Sequence, residues 1–149
     1  MSLTRRAALA LGAAAVLAAP LKAKQPQVYT ESGIAIDGTD AVAYFSEGKP
    51  VPGSADHAVD WNGSRWLFSS AQNKAAFEAD PAAYAPQYGG YCAFAMSKGY
   101  VAPTVPEAWS IVDGKLYLNY STGVRRQWSQ DIPGNIAAAN GHWPKPLEN

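Results

Sequence analysis

Apolar residues recur along this chain in short bursts separated by turn-forming residues, and the period of each burst predicts its element. His57-Ala58-Val59-Asp60-Trp61 alternates, which places His57, Val59 and Trp61 on one face of a strand. Asn62-Gly63 follows, a dipeptide suited to a tight hairpin turn, and Arg65-Trp66-Leu67-Phe68 supplies the return strand. Ser69 or Ser70 then offers a cap for a short helix over 71–79, which Asp80-Pro81 stops or restarts. Trp109 to Val112, Asp113-Gly114 and Lys115 to Leu118 repeat the hairpin pattern. Ser121 or Thr122 opens a helix to about Gln130, with Val124 and Trp128 one turn apart and facing the core. Ala41 to Phe45 reads as a short strand or buried segment, Tyr91 to Met96 as one or two helical turns, and Ile136 to Ala139 as a last short helix. Together these predict an α+β fold, a small antiparallel sheet built from two hairpins with short helices packed on one face.

The first 23 residues follow a different logic. Thr4-Arg5-Arg6 precedes the Ala-rich apolar run Ala7 to Ala19, which is too short to span a bilayer comfortably. Small residues offer cleavage after Ala18, Ala19 or Ala23. A paired-arginine start, a short apolar core and a small-residue exit predict a Tat-type signal peptide over 1–23 and a periplasmic or otherwise exported protein, with no stable membrane insertion once the leader is removed. Residues 24–36 then read as a polar linker, and 37–149 as one folded domain with a C-terminal extension.

Composition sharpens this picture in three places. Charged residues are only 16% of the chain while aromatics reach 11%, which fits a packed domain and excludes a disordered one. Removing Arg5, Arg6 and Lys22 with the leader leaves nine basic against twelve acidic side chains, a net of −3. A mildly acidic domain without a basic run excludes a nucleic-acid footprint. The single cysteine, Cys92, cannot form an internal disulfide, so packing alone must hold the fold.

The run Trp66-Leu67-Phe68-Ser69, a short helix ending near Phe77, and Ala79-Asp80-Pro81 followed by Tyr84 resemble the YHS domain family. Asp40-Ala41-Val42-Ala43-Tyr44-Phe45 is similar to a segment of the same family, and the resemblance covers roughly Asp37 to Tyr88. Gly89-Gly90-Tyr91-Cys92-Ala93-Phe94-Ala95 and Trp109 to Tyr120 resemble the exported, single-domain members. In many YHS domains, cysteines near the first strand and at the start of the helix imply soft-metal binding, since thiolates select copper and zinc. The corresponding positions here are Asp37-Gly38-Thr39-Asp40 and Ser69-Ser70-Ala71-Gln72, so both cysteine sites are absent.

Cys92, His57 and His142 remain as candidate metal ligands, of a type compatible with copper or zinc, though they share no short-range spacing. Against this, Cys92 reads first as a small buried hydrophobe between Tyr91 and Phe94. The many aromatics read chiefly as core; a flat cofactor such as haem would need Cys92, His57 or Met96 as axial ligand, and no Cys-x-x-Cys-His attachment exists. No phosphate loop, His-Glu-x-x-His or Gly-x-Ser-x-Gly appears, which argues against a conventional hydrolase. Three readings follow: an exported YHS-type protein binding a transition metal ion or small ligand, a thiol-dependent redox or accessory protein using Cys92, and a ligand-free module that meets a protein partner.

Overall fold

The computed structural model describes residues 24–149, so the expectations for the leader lie outside the described residues. Strands β1 (Thr30–Glu31) and β2 (Ile34–Ala35) pair antiparallel, and β2 joins a longer hairpin through a parallel bridge from Ile34 to Arg65. That hairpin is β3 (Ser54–Trp61) and β4 (Ser64–Phe68), and the sheet order is β1-β2-β4-β3. A second hairpin, β5 (Trp109–Val112) and β6 (Lys115–Leu118), stands as a separate two-stranded sheet. Six α-helices accompany the strands among the described residues: α1 (Ala43–Ser46), α2 (Ala71–Ala79), α3 (Pro81–Tyr84), α4 (Ala93–Ser97), α5 (Thr122–Trp128) and α6 (Ile132–His142).

The α+β class is as predicted, but the two hairpins do not share one sheet. The second hairpin is apolar on both faces. Leu116 and Leu118 enter one buried cluster with Trp66, Phe68 and Phe77, while Tyr117 enters another with Tyr88, Met96 and Trp128. Lying between two cores, it buries more than a place at a sheet edge would allow.

Both hairpin turns have the backbone their sequences demand. Asn62 and Gly63 sit at φ 55° and 81°, Asp113 and Gly114 at φ 51° and 75°, so each turn has its two central residues left-handed. A Cβ added at Gly63 meets nothing within 4 Å, so its cost there is conformational only. Gly63→Val should therefore lower the unfolding free energy by about 1–2 kcal/mol, the usual penalty of a left-handed L-residue. Urea denaturation checks this; a change within the roughly ±0.5 kcal/mol of an ordinary surface substitution refutes it.

Local caps hold the helices. Ser70 accepts from the Asn73 N–H and Ser121 from the Val124 N–H, each at 3.1 Å. Two segments refine or depart from expectation. Of the two readings of Ala41 to Phe45, the buried segment holds and the strand does not: Ala41 to Tyr44 are buried, and Ala43–Ser46 is helical because the Asp40 carboxylate accepts from the N–H groups of Val42 (2.9 Å) and Ala43 (3.1 Å) and starts a turn there. Residues 24–36, expected as a linker, pack into the fold. Val28, Tyr29, Ala35 and Ile36 are buried, the Gln25 N–H donates to the Leu147 carbonyl, and the Tyr29 N–H donates to the Gly89 carbonyl.

Candidate functional site

Asp40 is fully buried and ties the first helix to the hairpin and to α2. Its second oxygen accepts from the Ser69 N–H at 2.8 Å, the Ser69 hydroxyl at 2.6 Å and Asn73 Nδ2 at 2.9 Å. The structure therefore brings together the two stretches where cysteines stand in many YHS domains, but joins them by hydrogen bonds. Both carboxylate oxygens are engaged by protein donors, and a cation would face N–H and O–H groups turned towards it. These residues do not fit a resident metal, and the pair is a structural tie.

The second candidate grows from the chain that follows. Tyr88, Gly89 and Gly90 are successively left-handed, at φ 59°, 65° and 86°. A Cβ at Gly89 would strike the Gln27 carbonyl, so glycine is required for that close approach. The chain then runs extended through Tyr91 and Cys92 into α4. The Cys92 N–H donates to the Ala102 carbonyl, which fixes the backbone, and its side chain caps α4.

Cys92 is 1% exposed, yet its sulfur is fully engaged with polar groups. Sγ accepts from the N–H groups of Ala95 (3.5 Å) and Tyr120 (3.3 Å), and the thiol donates to Asn119 Oδ1 at 3.5 Å. Asn119, just past β6, is itself fully buried and held by main-chain bonds to Ala108 and Val105. Its Oδ1 also accepts from the Phe94 N–H at 3.0 Å, which fixes the orientation of the amide, and Nδ2 is left without a partner.

Above the sulfur opens a cleft of about 320 Å³, lined by Cys92, Phe94, Tyr100, Tyr120, Val124 and Gln127 among others. Tyr100 and Tyr120, 55% and 53% exposed, are the large hydrophobic residues left exposed among the described residues, and both belong to this cleft. The Lys98 ammonium lies over the Phe94 ring, 4.9 Å from its centroid. Outside the cleft's lining, burial raises the hydroxyls of Tyr88 and Tyr91 above the usual tyrosine range. They stay neutral donors, to Asn140 Oδ1 at 2.9 Å and the Pro26 carbonyl at 2.7 Å.

The other residues singled out in the sequence lie elsewhere. His57 falls in the irregular stretch of β3 between Ser54 and Ala58, half-buried. His142 is exposed at the end of α6 and lies against Gly99. Met96 is fully buried in the cluster with Tyr117 and Trp128, facing core. The structure does not bring Cys92, His57 and His142 together: among the described residues no three His, Cys, Asp or Glu side chains group where they could hold a metal ion. Sequence reasoning passed over Asn119, Tyr100 and Tyr120. The available signal was Asn119 itself, a polar residue directly after the apolar run Leu116-Tyr117-Leu118.

Residues 42–88 match the family model of the YHS domain, the stretch from α1 to the Tyr88 turn. The expected resemblance is shown over those residues, and Cys92 with its cleft lies beyond them. No curated protein and no solved structure matches the chain. No helix among the described residues is long and apolar enough to cross a membrane.

Proposed function

We propose that this protein is an exported small binding protein of the YHS type, and that it holds a small, largely apolar ligand in the cleft over Cys92. The observation that carries this reading is the coincidence at one place of a concave surface, the two exposed tyrosines and a buried polar sulfur. About 320 Å³ is at the small end of ligand sites, which pair apolar walls with a few fixed polar groups. A small ligand suits this cleft better than copper or zinc, since among the described residues Cys92 belongs to no group of three or more His, Cys, Asp or Glu side chains that could hold the ion.

Native mass spectrometry of untagged protein from its own cell envelope is expected to show one small molecule bound per chain. Val124→Trp, which fills the cleft without replacing the cysteine, should lose it. A wild-type chain recovered at its bare mass, and metal-free by elemental analysis, would leave the interaction-module reading in its place. Export rests on Arg5-Arg6 and the weakly apolar run after them. Replacing both arginines by lysine should hold the precursor in the cytoplasm, and unchanged export would remove the twin-arginine route.

A second reading, thiol-dependent redox or accessory chemistry, is favoured by the sulfur's polar setting. A cysteine serving only as packing has no need of two main-chain donors and an amide acceptor.

A further inference from the structure

Three aromatic side chains, Phe94, Tyr100 and Tyr120, line the cleft over Cys92, and among the described residues no Asp, Glu, Lys, Arg or His lines it with them. Other clefts on the molecule differ in this respect. The one at the Asn62-Gly63 turn holds the Asp60–Arg65 ion pair, and the one beside Tyr91 holds Glu31. An ion placed over Cys92 would leave water with no opposite charge in the lining to receive it, which is costly. Aromatic faces can take up a cation. The Lys98 ammonium, however, already lies over the Phe94 ring, 4.9 Å from its centroid, and a second positive charge at that ring would be repelled by the first.

We propose that this cleft takes an uncharged aromatic ligand of one or two fused rings, lodged against Tyr100 and Tyr120. The proposal rests on the reading that the cleft is the ligand site, and it names the class of molecule the site takes. Tyr100 and Tyr120 are 55% and 53% exposed, so each still has ring surface to give to a ligand. Aromatic rings gain from offset or edge-on contact with one another beyond what burial alone supplies. A saturated ligand of the same size gains the burial only. Volume sets the number of rings: an apolar cavity of about 150 Å³ holds one benzene. The cleft, at about 320 Å³, has room for two rings. Gln127, exposed on α5, brings an amide donor and acceptor to the lining, which suits a ligand hydroxyl or carbonyl and not a full charge.

The test titrates the purified full chain with four probes of similar size: naphthol, its saturated counterpart decahydronaphthol, naphthoate and trimethyl(naphthyl)ammonium. Binding is followed by NMR through the backbone ¹⁵N–H signals of Tyr100, Tyr120, Val124 and Gln127. Naphthol is expected to move these signals and to bind about tenfold tighter than each of the other three, the size of two ring–ring contacts. Tyr100→Leu and Tyr120→Leu keep apolar bulk and remove the ring. Each should weaken naphthol by about threefold to tenfold and leave decahydronaphthol unchanged. Equal affinity for naphthol and decahydronaphthol would overturn the aromatic class and leave a small-ligand cleft standing. Tighter binding of naphthoate or of the ammonium would overturn the uncharged class in the same way. Naphthol affinity unmoved by both leucine variants would overturn the part given to the tyrosines. If no probe moves these signals, or if Val124→Trp binds naphthol as the native chain does, the ligand cleft itself falls, and this inference with it.

Discussion

Asp40→Ala should lower the unfolding free energy by about 3–5 kcal/mol, the range reached when a buried charged hub is removed and its partners are stranded. Five donors converge on this one carboxylate: the N–H groups of Val42, Ala43 and Ser69, the Ser69 hydroxyl and Asn73 Nδ2. Alanine supplies none of the lost acceptors, and each donor left buried without a partner costs about 1–3 kcal/mol before relaxation or entering water offsets part of it. Asp40→Asn keeps one acceptor oxygen and should fall between alanine and the native residue. Equilibrium denaturation in urea measures both. A loss below about 1 kcal/mol for the alanine variant would mean that the tie between α1, β4 and α2 is incidental.

Phe77→Ala should cost a similar amount for a different reason. Phe77 is fully buried on α2 and packs its ring against Trp61, Trp66 and Phe68, with centroids at 5.6, 5.1 and 4.9 Å. Deleting the ring removes apolar burial and leaves a hole walled by rigid aromatics and strand backbone that collapse poorly. Phenylalanine-to-alanine changes in such settings cost about 3–5 kcal/mol. Phe77→Leu, which fills most of the volume, should recover more than half of that loss. Equal melting temperatures for the alanine variant and the native chain would show that this aromatic cluster does not hold the helix to the sheet.

The sequence made some of this legible because the relevant physics is local. Asn62-Gly63 and Asp113-Gly114 select their turns through their own backbone preferences, and Ser70 and Ser121 cap through bonds three residues long. What stayed hidden depends on partners far along the chain. Ala41 to Phe45 is an apolar run with no period of its own. Its helical turn follows from Asp40, whose carboxylate is held by Ser69 and Asn73, 29 and 33 residues away. Residues 24–36 look polar in sequence, yet Val28 and Tyr29 are buried because Gly89 lets that segment approach closely. The same holds at the candidate site. Cys92 announces itself as the lone cysteine after a Gly-Gly turn, while Asn119 and Tyr120 meet its sulfur across 27 and 28 residues of chain.

The make-up of the larger core bears on what can be cut from this protein. The stretch matching the YHS family ends at residue 88 and begins at 42, but the cluster around Trp66 and Phe77 is closed by Val28, Ala35 and Ile36 from before it and by Leu116 and Leu118 from after it. Excised on its own, the matched segment would turn Tyr44, Trp66 and Phe77 towards water and would carry the stickiness of an unfinished surface. A fragment meant for expression or for grafting has to keep the N-terminal strap and the second hairpin, so the inherited module and the folding unit are two different lengths of chain.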